Sequence, residues 1–146
     1  MTTAPTAAPV PLTYGAPISL ETAKKVMAAA EAEAEKNKWP MAIAIVDSGG
    51  HLVMLHRLDN TQIASARVCE EKARTALEFR RPTRALEDML AAGGAGLKVL
   101  TFGMNVGEGG IPIVVDGKVI GAIGLSGMAA HQDTAVAMAG IAALAK

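Results

Sequence analysis

Residues 108–127 read EGGIPIVVDGKVIGAIGLSG. Two apolar runs, Ile111–Val115 and Val119–Leu125, are separated by Asp116-Gly117 and Lys118. Asp-Gly supplies the positive φ angles of a tight type I′ turn, so the stretch predicts a β-hairpin. Gly109-Gly110 opens the first strand, Ser126-Gly127 closes the second, and Gly121 and Gly124 lie inside it. A glycine inside a strand marks a bend, a bulge or the close approach of another backbone or ligand. Several at one hairpin mean that something packs very near it or that the sheet is sharply curved.

Upstream, the apolar run Met41–Val46, the turn Asp47-Ser48-Gly49-Gly50 and His51–Leu58 predict a second hairpin. Period two separates His51, Val53, Leu55 and Arg57 from Leu52, Met54, His56 and Leu58. His51 and His56 therefore do not share a metal, and each reads as a surface or strand-end histidine. Before this hairpin, Ser19 caps a helix whose apolar stripe is Leu20, Ala23, Val26, Met27, Ala30 and Ala34. Glu31, Glu33, Glu35 and Lys36 form its solvated face, and Trp39 closes the edge of the core.

After the second hairpin, Asp59 or Asn60 caps a long helix to about Phe79, with Ile63, Ala66, Ala73 and Leu77 as its buried stripe. Ser65, Cys69, Lys72 and Ala76 form an adjacent stripe. That sets Lys72 at the apolar margin, where a lysine snorkels to water or points into a pocket. Thr83 caps a shorter helix, Arg84–Ala91, followed by a weak strand, Leu97–Phe102, and a glycine-punctuated loop, Gly103–Gly110. After the central hairpin, Asp133 caps a last helix, Thr134–Leu144, that is apolar nearly all round. The expected order is α–β–β–α–α–β–β–β–α. Two hairpins in one antiparallel sheet with helices around it make an α+β fold.

The 146 residues make one domain, 19–146, behind an extended, proline-punctuated arm, 1–18. Lys+Arg and Asp+Glu balance at 14 each, and aromatics are nearly absent, so neither a basic surface nor a stacking platform for nucleic acid is expected. A neutral, apolar-rich small domain points to a homo-oligomer. The single cysteine, Cys69, excludes an intrachain disulfide and a cysteine-based zinc site, and its mid-helix setting reads as buried and inert. No apolar run is long enough to span a membrane, and the N-terminus lacks the pattern of a signal peptide, so the cytoplasm is expected.

Motifs for familiar chemistry are missing. Gly107, Gly109 and Gly110 do not fit G-x-G-x-x-G, and a strand follows them where a phosphate cradle needs a helix. There is no H-E-x-x-H, and Gly124-Leu125-Ser126-Gly127 falls one residue short of a nucleophile elbow. His131, just before the last helix, stands where a pocket could open.

Several pieces in order resemble the GlcG/HbpS-like heme-binding domain, also found at the C-terminus of PduO-type corrinoid adenosyltransferases. They are Ile45-Val46-Asp47-Ser48-Gly49-Gly50, Arg57-Leu58-Asp59, Lys72-Ala73-Arg74-Thr75-Ala76, Gly109-Gly110-Ile111-Pro112-Ile113, Asp116-Gly117, Gly121–Gly127 and Asp133. The resemblance implies a five-stranded antiparallel sheet flanked by helices and assembly into dimers, tetramers or octamers. It also implies that some members bind heme or a corrinoid and that others sit beside catabolic enzymes. Asn60-Thr61, Glu108 and Met128-Ala129-Ala130-His131 depart from the family's usual Gly-Ala, glycine and Gly-x-Pro-type turn.

Two functions follow. The first is a small-molecule binding protein holding heme or a related tetrapyrrole between the central hairpin, the Lys72 helix and the last helix. Arg57 and Lys72 would pair with propionates there, and His131 or a methionine would be the axial ligand. The alternative is a small catabolic enzyme, an isomerase or hydrolase acting on a carboxylated metabolite. In it Arg57 and Lys72 would hold the carboxylate, and Glu108 or His131 would move a proton. Under either reading Arg57 and Lys72 reach one pocket beside Gly109-Gly110, unless Asp47 or Asp59 satisfies them internally.

Overall fold

A computed structural model of the chain describes residues 11–145. Strand β1 (Thr13–Tyr14) precedes helix α1 (Leu20–Lys36), the hairpin β2 (Ala42–Asp47) and β3 (Leu52–Arg57), and helices α2 (Ala64–Phe79) and α3 (Thr83–Ala92). A 3-10 segment, Gly94–Thr101, leads to the hairpin β4 (Gly110–Val115) and β5 (Lys118–Ser126), and helix α4 (Ala130–Ala142) follows. The central hairpin forms as its turn chemistry dictates, with Asp116 at φ 51° and Gly117 at φ 75°.

β5 is the hub of the sheet. It pairs antiparallel with β4 along one edge and with β2 along the other, and β3 lies outside β2. β1 runs parallel to the first residues of β5, Thr13 opposite Lys118, on the stretch that β2 leaves uncovered. The five-stranded sheet is therefore mixed, not wholly antiparallel as expected. The fifth strand comes from the segment expected as an arm, of which residues 1–10 lie outside the described residues. The expected strand at Leu97–Phe102 is instead part of the 3-10 segment, and only Val99 of that run is fully buried.

Three layers result. Ile43, Ile45, Ile123 and Leu125 face α1 and α4 and pack on Val26, Met27, Ala30 and Val136. On the other face Val46, Val119 and Ala122 meet Ala73, Ala76 and Leu77 of α2. This second face is lined by small residues because α2 lies almost on the strands. A Cβ built on Gly124 would stand 2.0 Å from the Cys69 carbonyl oxygen. The buried stripe of α2 is Ser65, Cys69, Lys72, Ala76 and their neighbours, while Ile63, expected inside, is 84% exposed just before the helix begins.

Ser19 caps α1 as its sequence predicts, its hydroxyl accepting from the Thr22 N–H at 3.1 Å. The other expected caps differ. α2 starts at Ala64, past Asp59 and Asn60, with no side-chain cap. Thr83 lies inside α3, its buried hydroxyl accepting from Gly110 N–H at 3.0 Å and donating to the Gly107 carbonyl at 2.8 Å. α4 starts three residues before Asp133, which frees that carboxylate for another partner.

Candidate functional site

Lys72 is 7% exposed, and its ammonium is satisfied inside the protein. Nζ donates to the Leu125 carbonyl at 3.0 Å and lies 3.3 Å from Asp133 Oδ2. The side chain runs past Gly109 to reach α4, and a Cβ on Gly109 would stand 3.2 Å from Nζ. At Gly110 a Cβ would stand 2.3 Å from the Lys72 carbonyl oxygen. The glycine pair thus makes room for α2. Burial pushes the Asp133 carboxyl above the usual carboxylate range and the Glu108 charge adds to it, although the Lys72 ammonium and the Met128 N–H work in the opposite direction.

Glu108, Gly109 and Gly110 line a pocket of about 380 Å³ together with Pro82, Arg84, Ile111, Thr134 and Met138. Glu108 is fixed at both ends: its N–H donates to Glu87 Oε2 at 3.0 Å, and its Oε2 accepts from the Thr134 hydroxyl at 2.6 Å. His131 is not part of this pocket; it stands exposed in the first turn of α4. The two groups expected to move a proton are therefore not brought to one cavity.

Arg57 is also elsewhere. With His56 it lines an open depression of about 720 Å³ between the C-terminal end of α1 and the end of β3. Leu55, Leu58, Trp39 and Pro40 give this depression its apolar surface, and Lys38, Glu31, Glu35, Asp59 and Asn60 its polar one. His56 Nδ1 is bonded to the carboxylate of Glu31 on α1. That bond fixes the imidazole and leaves Nε2 as its second working atom. Among the described residues, neither Arg57 nor Lys38 enters an ion pair.

Lys38 occupies the position after the α1 C-cap at φ 58°, a left-handed conformation in which glycine is favoured. Its N–H donates to the Glu35 carbonyl and that of Trp39 to the Ala34 carbonyl, which closes the helix end and turns the chain into the depression. Among the described residues, no group of three or more His, Cys, Asp or Glu side chains is placed to hold a metal ion. Cys69 is buried against the sheet, and burial pushes its thiol up to about 12. No helix of the described chain is long and apolar enough to cross a membrane.

The sequence reading missed the pairing of His56 with Glu31 because 25 residues separate the two. The available signal was Glu31 flanking the buried Ala30 and Ala34, and His56 sharing a strand face with Met54. Arg57 thus lines one cavity and Glu108 with the glycine pair another, where a single pocket was expected.

A family model described as haem degrading protein HbpS-like matches residues 18–142. The protein GlcG of Escherichia coli K12 is 43% identical over 109 residues, which cover 75% of this chain and 81% of GlcG. A double mutant of Streptomyces reticuli HbpS superposes with a TM-score of 0.80 at 32% identity, covering 99% of both chains. A crystal structure of a PduOC:heme complex superposes with a TM-score of 0.79 at 28% identity, covering 87% of this chain and 94% of that one.

Proposed function

We propose a ligand-binding role for this chain, which belongs to the HbpS-like family: it holds heme, or a related tetrapyrrole, in the depression beside α1 and β3. The observation that carries the reading is the His56 imidazole, oriented by Glu31 in the same depression as Arg57. Histidine is a common axial ligand of heme iron, and a carboxylate on its other nitrogen fixes the tautomer and raises its basicity. The donor set fits the group. Arg57 and Lys38 would pair with the two propionates, since charge-assisted bonds from cations to carboxylates are among the stronger polar contacts. Trp39, Leu55 and Leu58 offer apolar surface to the ring. When bound, heme would supply the redox chemistry of its iron. A solved heme complex of a relative with this fold supports the same class of ligand.

Heme titration tests the proposal. A Soret band that saturates at one equivalent is expected, together with its loss or displacement in His56→Ala at unchanged circular dichroism. Glu31→Gln should weaken binding about 10-fold or more, as loss of an outer-sphere carboxylate does at metal sites. Absence of a band at equimolar heme, or a band identical in His56→Ala, would overturn the assignment.

A further inference from the structure

The His56 imidazole is held from behind by a carboxylate, and both groups stand on packed elements. Ala30 and Ala34, on either side of Glu31 in α1, are fully buried, as are Ile43 and Ile45 of β2, the strand on which β3 pairs. The Glu31 carboxylate bonded to Nδ1 is therefore fixed by the fold rather than carried on a loop. The depression also has an uneven balance of charge. Glu31, Glu35 and Asp59 supply three carboxylates, and Arg57 and Lys38 two cations. Propionates paired with Arg57 and Lys38 would offset those cations and leave the carboxylates to act on the metal centre. Glu35 and Asp59 are exposed and their effect is screened, whereas the Glu31 side chain is 27% exposed and touches the imidazole itself. The depression is open as well, with the His56 side chain 44% exposed.

We infer that this site selects ferric over ferrous heme and that Glu31, acting through His56, sets the preference, which presupposes the heme assignment above. The iron–porphyrin core is a cation when ferric and neutral when ferrous. A carboxylate on Nδ1 makes the imidazole a more basic ligand, and a more basic ligand favours the higher oxidation state. The charge of Glu31 adds a direct attraction for the cation. Water at the open mouth works in the same direction, because a charged group loses more than a neutral one on leaving solvent. All three effects favour the ferric form. Glu31 itself would touch no ligand, so it is a positioning residue, and its loss should move a redox midpoint as well as an affinity.

Titration with ferric heme in air and with dithionite-reduced heme under nitrogen, together with a spectroelectrochemical midpoint, tests the inference. Ferric heme should bind at least about tenfold more tightly, which places the midpoint of bound heme about 59 mV or more below that of free heme in the same buffer. Glu31→Gln keeps the shape and removes the charge. In it ferric affinity should fall about tenfold or more, ferrous affinity should hold, and the midpoint should rise by about 59 mV or more, at unchanged circular dichroism. Glu35→Gln, one helical turn away and exposed, should move the midpoint less. A merely structural role for Glu31 would instead lower both affinities together and leave the midpoint where it is. That result, or equal affinity for the two oxidation states in the wild type, would overturn the preference while leaving the heme site standing. Absence of binding, or a band unaltered in His56→Ala, would overturn both.

Discussion

Lys72 and Asp133 are nearly removed from water, so each depends on the other more than a surface pair does. Replacing Asp133 by Asn leaves a buried ammonium without its counter-charge and should cost about 3–5 kcal/mol in urea unfolding. Lys72→Met differs, because an orphaned carboxyl can take up a proton. The folded pKa of Asp133 already lies above the unfolded value, and loss of Lys72 removes an influence that lowers it. The native variant then binds a proton more readily than the unfolded chain, so its stability falls as pH rises from about 4 through the folded pKa. Unfolding midpoints of wild type and Lys72→Met should therefore diverge as pH rises above the ordinary carboxylate range; a constant gap would argue against a protonated Asp133. The same variant should titrate with heme like the wild type, whereas Arg57→Met should bind more weakly. At Cys69, a thiol pushed to about 12 has almost no thiolate near neutral pH, so a thiol reagent should label it only on unfolding.

Helix α2 lies so close to β5 that one methyl group is enough to separate them. In Gly124→Ala the new Cβ would meet the Cys69 carbonyl oxygen at 2.0 Å and the Ala73 nitrogen at 2.5 Å, both backbone atoms of α2. The helix must shift, at a cost of about 3 kcal/mol or more, measurable by thermal unfolding. The C-terminal end of α1 offers the opposite case: Lys38→Gly relieves a left-handed lysine and should stabilise by about 1 kcal/mol while weakening heme binding. These elements also show which parts of the fold the sequence makes readable. The Asp116-Gly117 turn and the α1 stripe are local backbone and periodicity effects, so they were legible. β1 was not, since two residues carry no period; its place is held partly by the Tyr14 hydroxyl donating to the Leu77 carbonyl at 2.8 Å. Leu97–Phe102 looks like a strand because its apolar residues recur, but only Val99 of them reaches the core. Arg57 is legible as a strand-end cation, whereas the His56–Glu31 bond depends on an α1–β3 contact that no short window contains. The sequence offers Asp47 or Asp59 as an internal partner of Lys72, whereas the structure pairs it with Asp133 on α4, 61 residues away.

The molecule as a whole has no net charge to keep copies apart, and its 14.9 kDa chain leaves large apolar side chains outside the core. Single exposed apolar residues are ordinary on any protein, so their grouping matters more than their number. Leu97 and Leu100 are 52% and 69% exposed and lie three residues apart in the 3-10 segment, a spacing that stacks them on one side of a three-residue turn. That places two leucines together as one patch on a short helix with little of its own core. Met138 is likewise half exposed on α4, whose residues are apolar nearly all round and of which only part is buried. Two such patches on a neutral surface favour self-association, since burying a leucine gains roughly 1.5–3 kcal/mol. Light scattering at micromolar concentration should therefore give a mass at a multiple of 14.9 kDa. Changing Leu97 and Leu100 together to Asp should lower that mass without altering the circular dichroism, because neither leucine is part of the buried core. A wild-type chain at the monomer mass would refute the association, and an unchanged multiple in the double variant would move the contact from the 3-10 segment to another surface.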